Sequence, residues 1–427
     1  MKKIKLLLMS LLLFIFAVAC QAGEDNTVVY DDNSSGGYSE SLYDTEDHDA
    51  DEDHDEDKED HDSDKDHEAH DHDEDKEDHD SDEDHEAHDH DEDKEDHEAH
   101  DHDEDKEDHD SDEDHEAHDH DEEIIDALSK IEAIIEPENL SWPRKVLIND
   151  EEITITERPE KVLTISLGHD EILFGVSNTD QIAGTTSFAQ EGGSNIEKKS
   201  EGLPIVTTDP ETIISLSPDI VFADAYASIE LMDTLKDVGI TVIQTSLNNS
   251  SEGRKNDVWL MSYITGNLEK ALFLSEDIDN KVKILNDLAK SNTDKTKNVI
   301  TLSWWDAYWT AGNGSTEDSI IQLAGGKNVA AANGVESNNT IEKELLISMN
   351  PEMILITQSV QWGGQDFYDD LMSDESLASI EAIKNDEVYM VNSNWWTTLS
   401  YWNLKGSEEL AKILWDLEDI ENFGDFE

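Results

Sequence analysis

The chain has 427 residues, with 107 acidic against 29 basic side chains, a net charge of −78 at pH 7, and a single cysteine. Such an excess of carboxylates excludes nucleic acid as a partner, because gripping phosphates needs clustered Lys and Arg. One cysteine excludes an intrachain disulfide.

Residues 1–20 read as a secretory signal. Lys2, Lys3 and Lys5 form a basic start, residues 6–16 an apolar core too short for a comfortable membrane span, and Ala17-Val-Ala a small-residue approach to Cys20. This arrangement resembles the lipobox of bacterial lipoproteins. It implies that Cys20 is acylated and tethers the protein to the extracytoplasmic face of the cell membrane. Residues 21–46 are polar and read as a flexible tether.

Residues 47–123 consist almost wholly of Asp, Glu and His and hold 17 of the 18 histidines. The unit His-Glu-Ala-His-Asp-His occurs at 67–72, 85–90, 97–102 and 115–120. Charges this dense, with only alanines as apolar content, cannot bury enough surface to offset chain entropy, so residues 21–121 are expected to be a disordered linker. Three imidazoles and two carboxylates within six residues suit a divalent metal such as Zn, Ni or Cu. The candidate ligands are His67, His70, His72, His85, His88, His90, His97, His100, His102, His115, His118 and His120. The competing reading is a solvated acidic spacer.

From residue 122 the pattern changes. Ile124, Ile125, Leu128, Ile131, Ile134 and Ile135 predict one helical face ending at Pro137, and 145–148 with 152–156 predict a hairpin about Asn149-Asp150. Short buried strands are expected at 161–167, 219–223, 240–244, 298–303, 352–357 and 387–391, alternating with helical patterns. That alternation predicts an α/β fold with two Rossmann-like lobes. Between them, Leu268, Ala271, Leu272, Ser275, Ile278, Val282, Leu285 and Ala289 predict one long backbone helix. The expected domain, 122–427, divides into a first lobe at about 145–253, the helix at about 254–292 and a second lobe at about 293–415. The lobes also echo each other: Glu211-Thr-Ile-Ile-Ser-Leu-Ser-Pro-Asp-Ile-Val-Phe parallels Glu344-Leu-Leu-Ile-Ser-Met-Asn-Pro-Glu-Met-Ile-Leu.

With Arg158-Pro-Glu-Lys-Val-Leu-Thr-Ile-Ser-Leu, Asp180-Gln-Ile-Ala-Gly-Thr-Thr, Gly312-Asn-Gly-Ser, Leu323-Ala-Gly-Gly-Lys-Asn-Val and Ala382-Ile-Lys-Asn-Asp-Glu-Val-Tyr, these markers run in order over about 145–415. The sequence resembles the substrate-binding lipoproteins of ABC importers for iron siderophores, haem and vitamin B12. The resemblance implies a two-lobed protein working with a membrane permease and its ATPase. It also implies that Glu211 and Glu344, one per lobe, dock into arginine pockets of the permease.

Segments that follow strands should line the cleft of such a fold. They carry His169, Phe188, Tyr226, Trp304, Trp305, Trp309, Trp362, Trp395 and Trp396. Aromatic walls suit a metal chelate, haem or a corrinoid, although indoles also serve to pack lobes. His169 is either a ligand to metal or a hydrogen-bonded imidazole at a helix start. With Arg144, Arg158 and Arg254 the only arginines, a neutral or cationic chelate or a corrinoid is expected over an anionic one. The residues that haem binders of this class devote to a Tyr are here Ile205, Val206 and Thr207. No Gly-x-Ser-x-Gly elbow or phosphate-cradling glycine loop is present, so no enzyme is expected, and no catalytic cofactor. Other readings are a metal-buffering surface protein, or direct binding of bare zinc or manganese, which one histidine in the domain disfavours.

Overall fold

A computed structural model describes residues 113–192 and 194–426, with side chains from residue 120 onward. Cys20 and the first three repeat units, with their candidate ligands, lie outside these residues. The helix Glu113–Leu128 begins two residues ahead of the fourth unit and runs through it, earlier than the domain boundary expected at 122. It also stops at Leu128 and does not reach Pro137. Strand pairing overrides the helical pattern there: Ile134 bridges Val146, and Leu147 N–H donates to the Ala133 carbonyl at 2.8 Å. Ile131 and Ile134 remain buried, but Ile135, expected on the same face, is exposed at 40% because the bridged backbone turns it outward.

The predicted hairpin is present as β1 (Arg144–Ile148) and β2 (Glu151–Ile155). Its two-residue turn needs positive φ at both central positions, and Asn149 (φ 50°) and Asp150 (φ 64°) tolerate it. The first lobe is built on β3 (Val162–Thr164), β4 (Ile182–Thr186), β5 (Ile205–Val206), β6 (Ile220–Asp224) and β7 (Thr241–Thr245). These pair in the order β5-β4-β3-β6-β7, all parallel. The second lobe comprises β8 (Asn298–Trp304), β9 (Tyr308–Ala311), β10 (Lys327–Asn328), β11 (Asn338–Ile341), β12 (Met353–Ile356) and β13 (Val388–Met390). Its order is β11-β9-β8-β12-β13, with β10 also on β8 and the β9 and β11 pairings antiparallel. The α/β fold with two Rossmann-like lobes is therefore confirmed.

The repeated motif has one geometry in both lobes. Helices Pro210–Ser215 and Lys343–Met349 each end near a left-handed residue, Ser217 (φ 51°) and Asn350 (φ 45°), which precedes a proline entering β6 or β12. The acidic residue after each proline then ties down the neighbouring strand. Asp219 accepts from the Glu160 and Lys161 amides at 2.8 and 2.9 Å, and Glu352 accepts from Asn298 N–H at 2.8 Å.

The backbone helix expected over about 254–292 is two helices, Ser251–Thr265 and Leu268–Ser291. The break is local chemistry: Gly266 is left-handed (φ 81°), and Asn267 uses its side chain to bind Ser177, Gln181 and Arg158 of the first lobe. The second helix has 24 residues, about 36 Å at 1.5 Å per residue. Leu268, Ala271, Leu272, Ser275, Ile278 and Leu285 form its buried stripe. Among the described residues no helix is long and apolar enough to cross a membrane.

Candidate functional site

The site grows out of the β8–β9 hairpin. Trp304 pairs with Tyr308 and Ser303 with Trp309 in its register, so the two pairs point to opposite faces. On one face Trp304 meets Tyr308 edge-on at 5.0 Å and lies over Phe367 at 6.3 Å. The other face, with Ser303, Trp305 and Trp309, walls a cavity of about 70 Å³. Thr301 of β8, Thr357 and Gln358 beyond β12, Asn338 of β11 and Thr397 complete much of the lining, all of it from the second lobe. Gln358 braces the mouth by accepting from Trp304 N–H at 2.8 Å and donating to the Trp362 carbonyl at 2.7 Å.

One acid lines this cavity. Glu317 sits in the first turn of the helix Thr316–Leu323 and is 7% exposed. Burial pushes its carboxyl up to about 7, opposed by its own backbone N–H and by the charge of Arg254. Arg254, itself buried, donates to Thr316 Oγ1 at 3.0 Å. Burial lowers it to about 10, while Asp257, Glu171 and Glu317 act in the opposite sense.

The junction between the lobes is polar. Glu171, on the first-lobe helix Leu167–Val176, accepts from Thr398 and from Ser400 Oγ at 2.5 Å, and from Asn195 Nδ2 at 2.9 Å. Burial raises its pKa against these bonds. Asn195 also donates to the Asn394 carbonyl at 2.9 Å, and Asn249 to that of Gly314 at 2.9 Å. The cavity thus lies on elements held from outside the second lobe: Thr316 donates to Asn249 Oδ1 of the first lobe at 2.9 Å and accepts from Arg254 of the helix Ser251–Thr265.

Of the aromatic residues expected at the site, the cavity gathers Trp305 and Trp309. Trp304 faces the other way, and Trp362 is half-buried in the turn Val360–Trp362. Phe188 and Tyr226 are half-buried in segments that follow β4 and β6, away from the cavity lining. Trp395 is half-buried beneath the Lys405 ammonium, 5.7 Å from its ring centre. Two expectations are corrected. Trp396 is a core residue, fully buried with its indole N–H donated to Glu409 at 2.8 Å. His169 is 1% exposed, stacked 6.2 Å from Phe222, with its ring nitrogens bonded to Ser166 Oγ (2.6 Å) and Thr245 Oγ1 (3.0 Å). Burial lowers it to about 4, so it is a neutral structural imidazole with no nitrogen left for a ligand.

Sequence reasoning missed Glu317, Thr301, Thr310, Asn338 and Thr397. Only Glu317 left a signal: it shares the buried face of its helix with Ile320 and Ile321, an acid where the 3.6 period calls for an apolar residue. Glu211 and Glu344 lie exposed on the first turns of their matching helices.

Residues 162–394 match the family model described as a periplasmic binding protein. The uncharacterized ABC transporter substrate-binding lipoprotein YvrC of Bacillus subtilis (strain 168) is 25% identical over 274 residues, which cover 62% of this chain and 83% of that protein. The cobalamin-binding protein of Halobacterium salinarum is 26% identical over 206 residues, 48% of this chain and 55% of its own length. Among solved structures, the periplasmic heme-binding protein RhuT from Roseiflexus sp. RS-1, in apo form, shares the fold. Its TM-score is 0.53 at 20% identity, over 60% of this chain and 98% of that one.

Proposed function

The chain belongs to the periplasmic binding protein family, and from that premise we propose that it is the lipid-anchored binding component of an ABC importer for a metal chelate of the iron–siderophore type or a corrinoid. It is a solute-binding protein of transport and not an enzyme. The observation that carries the ligand class is a cavity walled by Trp305 and Trp309 that holds a carboxylate and no guanidinium. None of the three arginines lines the cavity: Arg144 bonds the Tyr263 carbonyl, Arg158 bonds Asn267, and Arg254 lies behind the wall, donating to Thr316. Anionic chelates, and haem with its two carboxylates, lack a counter-charge here; a neutral or cationic ligand does not need one. Cys20 supplies the membrane anchor, and Glu211 and Glu344 face the permease, whose ATPase drives release.

Binding is expected to quench tryptophan fluorescence, because Trp305 and Trp309 change surroundings when the cavity fills. Native mass spectrometry of the protein from its own host, followed by titration with ferric chelates and cobalamin, tests this. Unchanged emission across that panel, with no retained ligand, would sink the chelate reading.

The repeat serves, in this proposal, to capture divalent metal near the membrane. Imidazole coordinates only when neutral, with an ordinary pKa near 6.5, so metal must displace protons. A peptide of residues 47–123 is expected to take up several Zn or Ni ions at neutral pH and to release them as pH falls toward about 6. Equal uptake after every His is changed to Asn would instead favour the acidic spacer. A protein whose active part is this repeat, buffering metal at the surface, is the second reading; it predicts that deleting 47–123 removes all function. Direct capture of bare zinc or manganese in the cleft is disfavoured by the hydrogen-bonded state of His169.

A further inference from the structure

The cavity is chemically unbalanced in the direction of a cation. We propose that it is a subsite for a positively charged group of the transported molecule, an ammonium or an equivalent cationic head, with Glu317 as its counter-charge and Trp305 and Trp309 as its walls. This rests on the importer reading and narrows its substrate class.

The charge count comes first. Glu317 is 7% exposed and lines the cavity, yet the groups that act on it are its own backbone N–H and the field of Arg254. That single guanidinium also answers to Asp257 and Glu171 and spends its one hydrogen bond on Thr316. One cation among three buried carboxylates leaves the acid at the cavity wall incompletely compensated. A buried charge in that state is costly, and a cation entering the cavity offsets the cost.

The walls suit the same guest. Trp305 and Trp309 are half-buried, and an indole face attracts cations, most strongly where water is excluded. No lysine or arginine lines the cavity to compete.

The experiment is calorimetry on the full chain at pH 8, above the value of about 7 at which Glu317 ionises. Choline is the cationic probe and 3,3-dimethyl-1-butanol its uncharged isostere. Choline is expected to bind at least about tenfold more tightly. Glu317→Gln should remove that preference while leaving the isostere's affinity in place. Because a buried substitution can impair folding, Trp309→Leu is the second variant, expected to weaken choline more than the isostere. Equal affinity for both probes in the unaltered protein, or a choline preference that survives Glu317→Gln, overturns the proposal. The two readings separate cleanly. Tight binding of a neutral chelate that ignores Glu317→Gln removes the cationic subsite and keeps the importer; a Glu317-dependent choline preference with no chelate binding keeps the subsite and removes the chelate reading.

Discussion

Replacing either Glu211 or Glu344 with alanine is expected to abolish import while leaving ligand affinity at its original value. Both carboxylates are exposed, each on the first turn of a short helix that leads through a left-handed residue and a proline into a central strand. This shared geometry places one acid on each lobe in equivalent settings, far in sequence from the cavity-lining residues of β8 and β9. Truncating one partner of a desolvated charge pair costs about 2–5 kcal/mol, roughly 30-fold or more in the stability of a docked complex. The bland role for a first-turn glutamate, favouring the helix dipole, is worth only about 0.3–1 kcal/mol and predicts normal import with slightly lower stability. Uptake by cells carrying each variant, set beside calorimetry on the purified proteins, distinguishes the two. Normal import by either variant would remove that lobe's glutamate from the docking scheme.

Trp396→Ala is expected to cost about 3–5 kcal/mol of folding stability, the range for a large aromatic removed from a packed core. The loss includes more than volume. The indole N–H is the side-chain donor to Glu409, whose other bonds are to the Asn392 amide, and burial already pushes that carboxyl up. Trp305→Ala, by contrast, opens a half-buried cavity wall and should lower ligand affinity with little change in the urea midpoint. The pair of variants divides tryptophans that look alike in sequence. If Trp396→Ala unfolded at the original urea concentration and lost ligand binding, its assignment to the core would be wrong.

The sequence by itself determined the architecture. Parallel strands buried on both faces read as short apolar runs, which is why β3, β6, β7, β8, β12 and β13 were all expected near their observed positions. Asn149-Asp150 announced the hairpin because few other residues accept two successive positive φ values. The two glutamate motifs were legible for the same reason: a helix turn, a left-handed residue and a proline are local chemistry. The antiparallel strands β9 and β11, of four residues each, escaped notice because they are too short to show a period, and the parallel strands β4 and β5 were also not expected.

What only the tertiary structure decided was the direction of each side chain. Trp304 and Trp305 are adjacent and chemically identical, yet Trp304, the last residue of β8, packs toward Phe367 while Trp305, in the turn that follows, lines the cavity. His169 became a structural imidazole through Thr245, 76 residues away, and Glu171 joined the lobes through Thr398, 227 residues away. Local periodicity carries no information about partners at such separations. Burial, and with it the ionisation of Glu317, His169 and Arg254, is a property of the assembled lobes, set by how much water packing removes from around each charge.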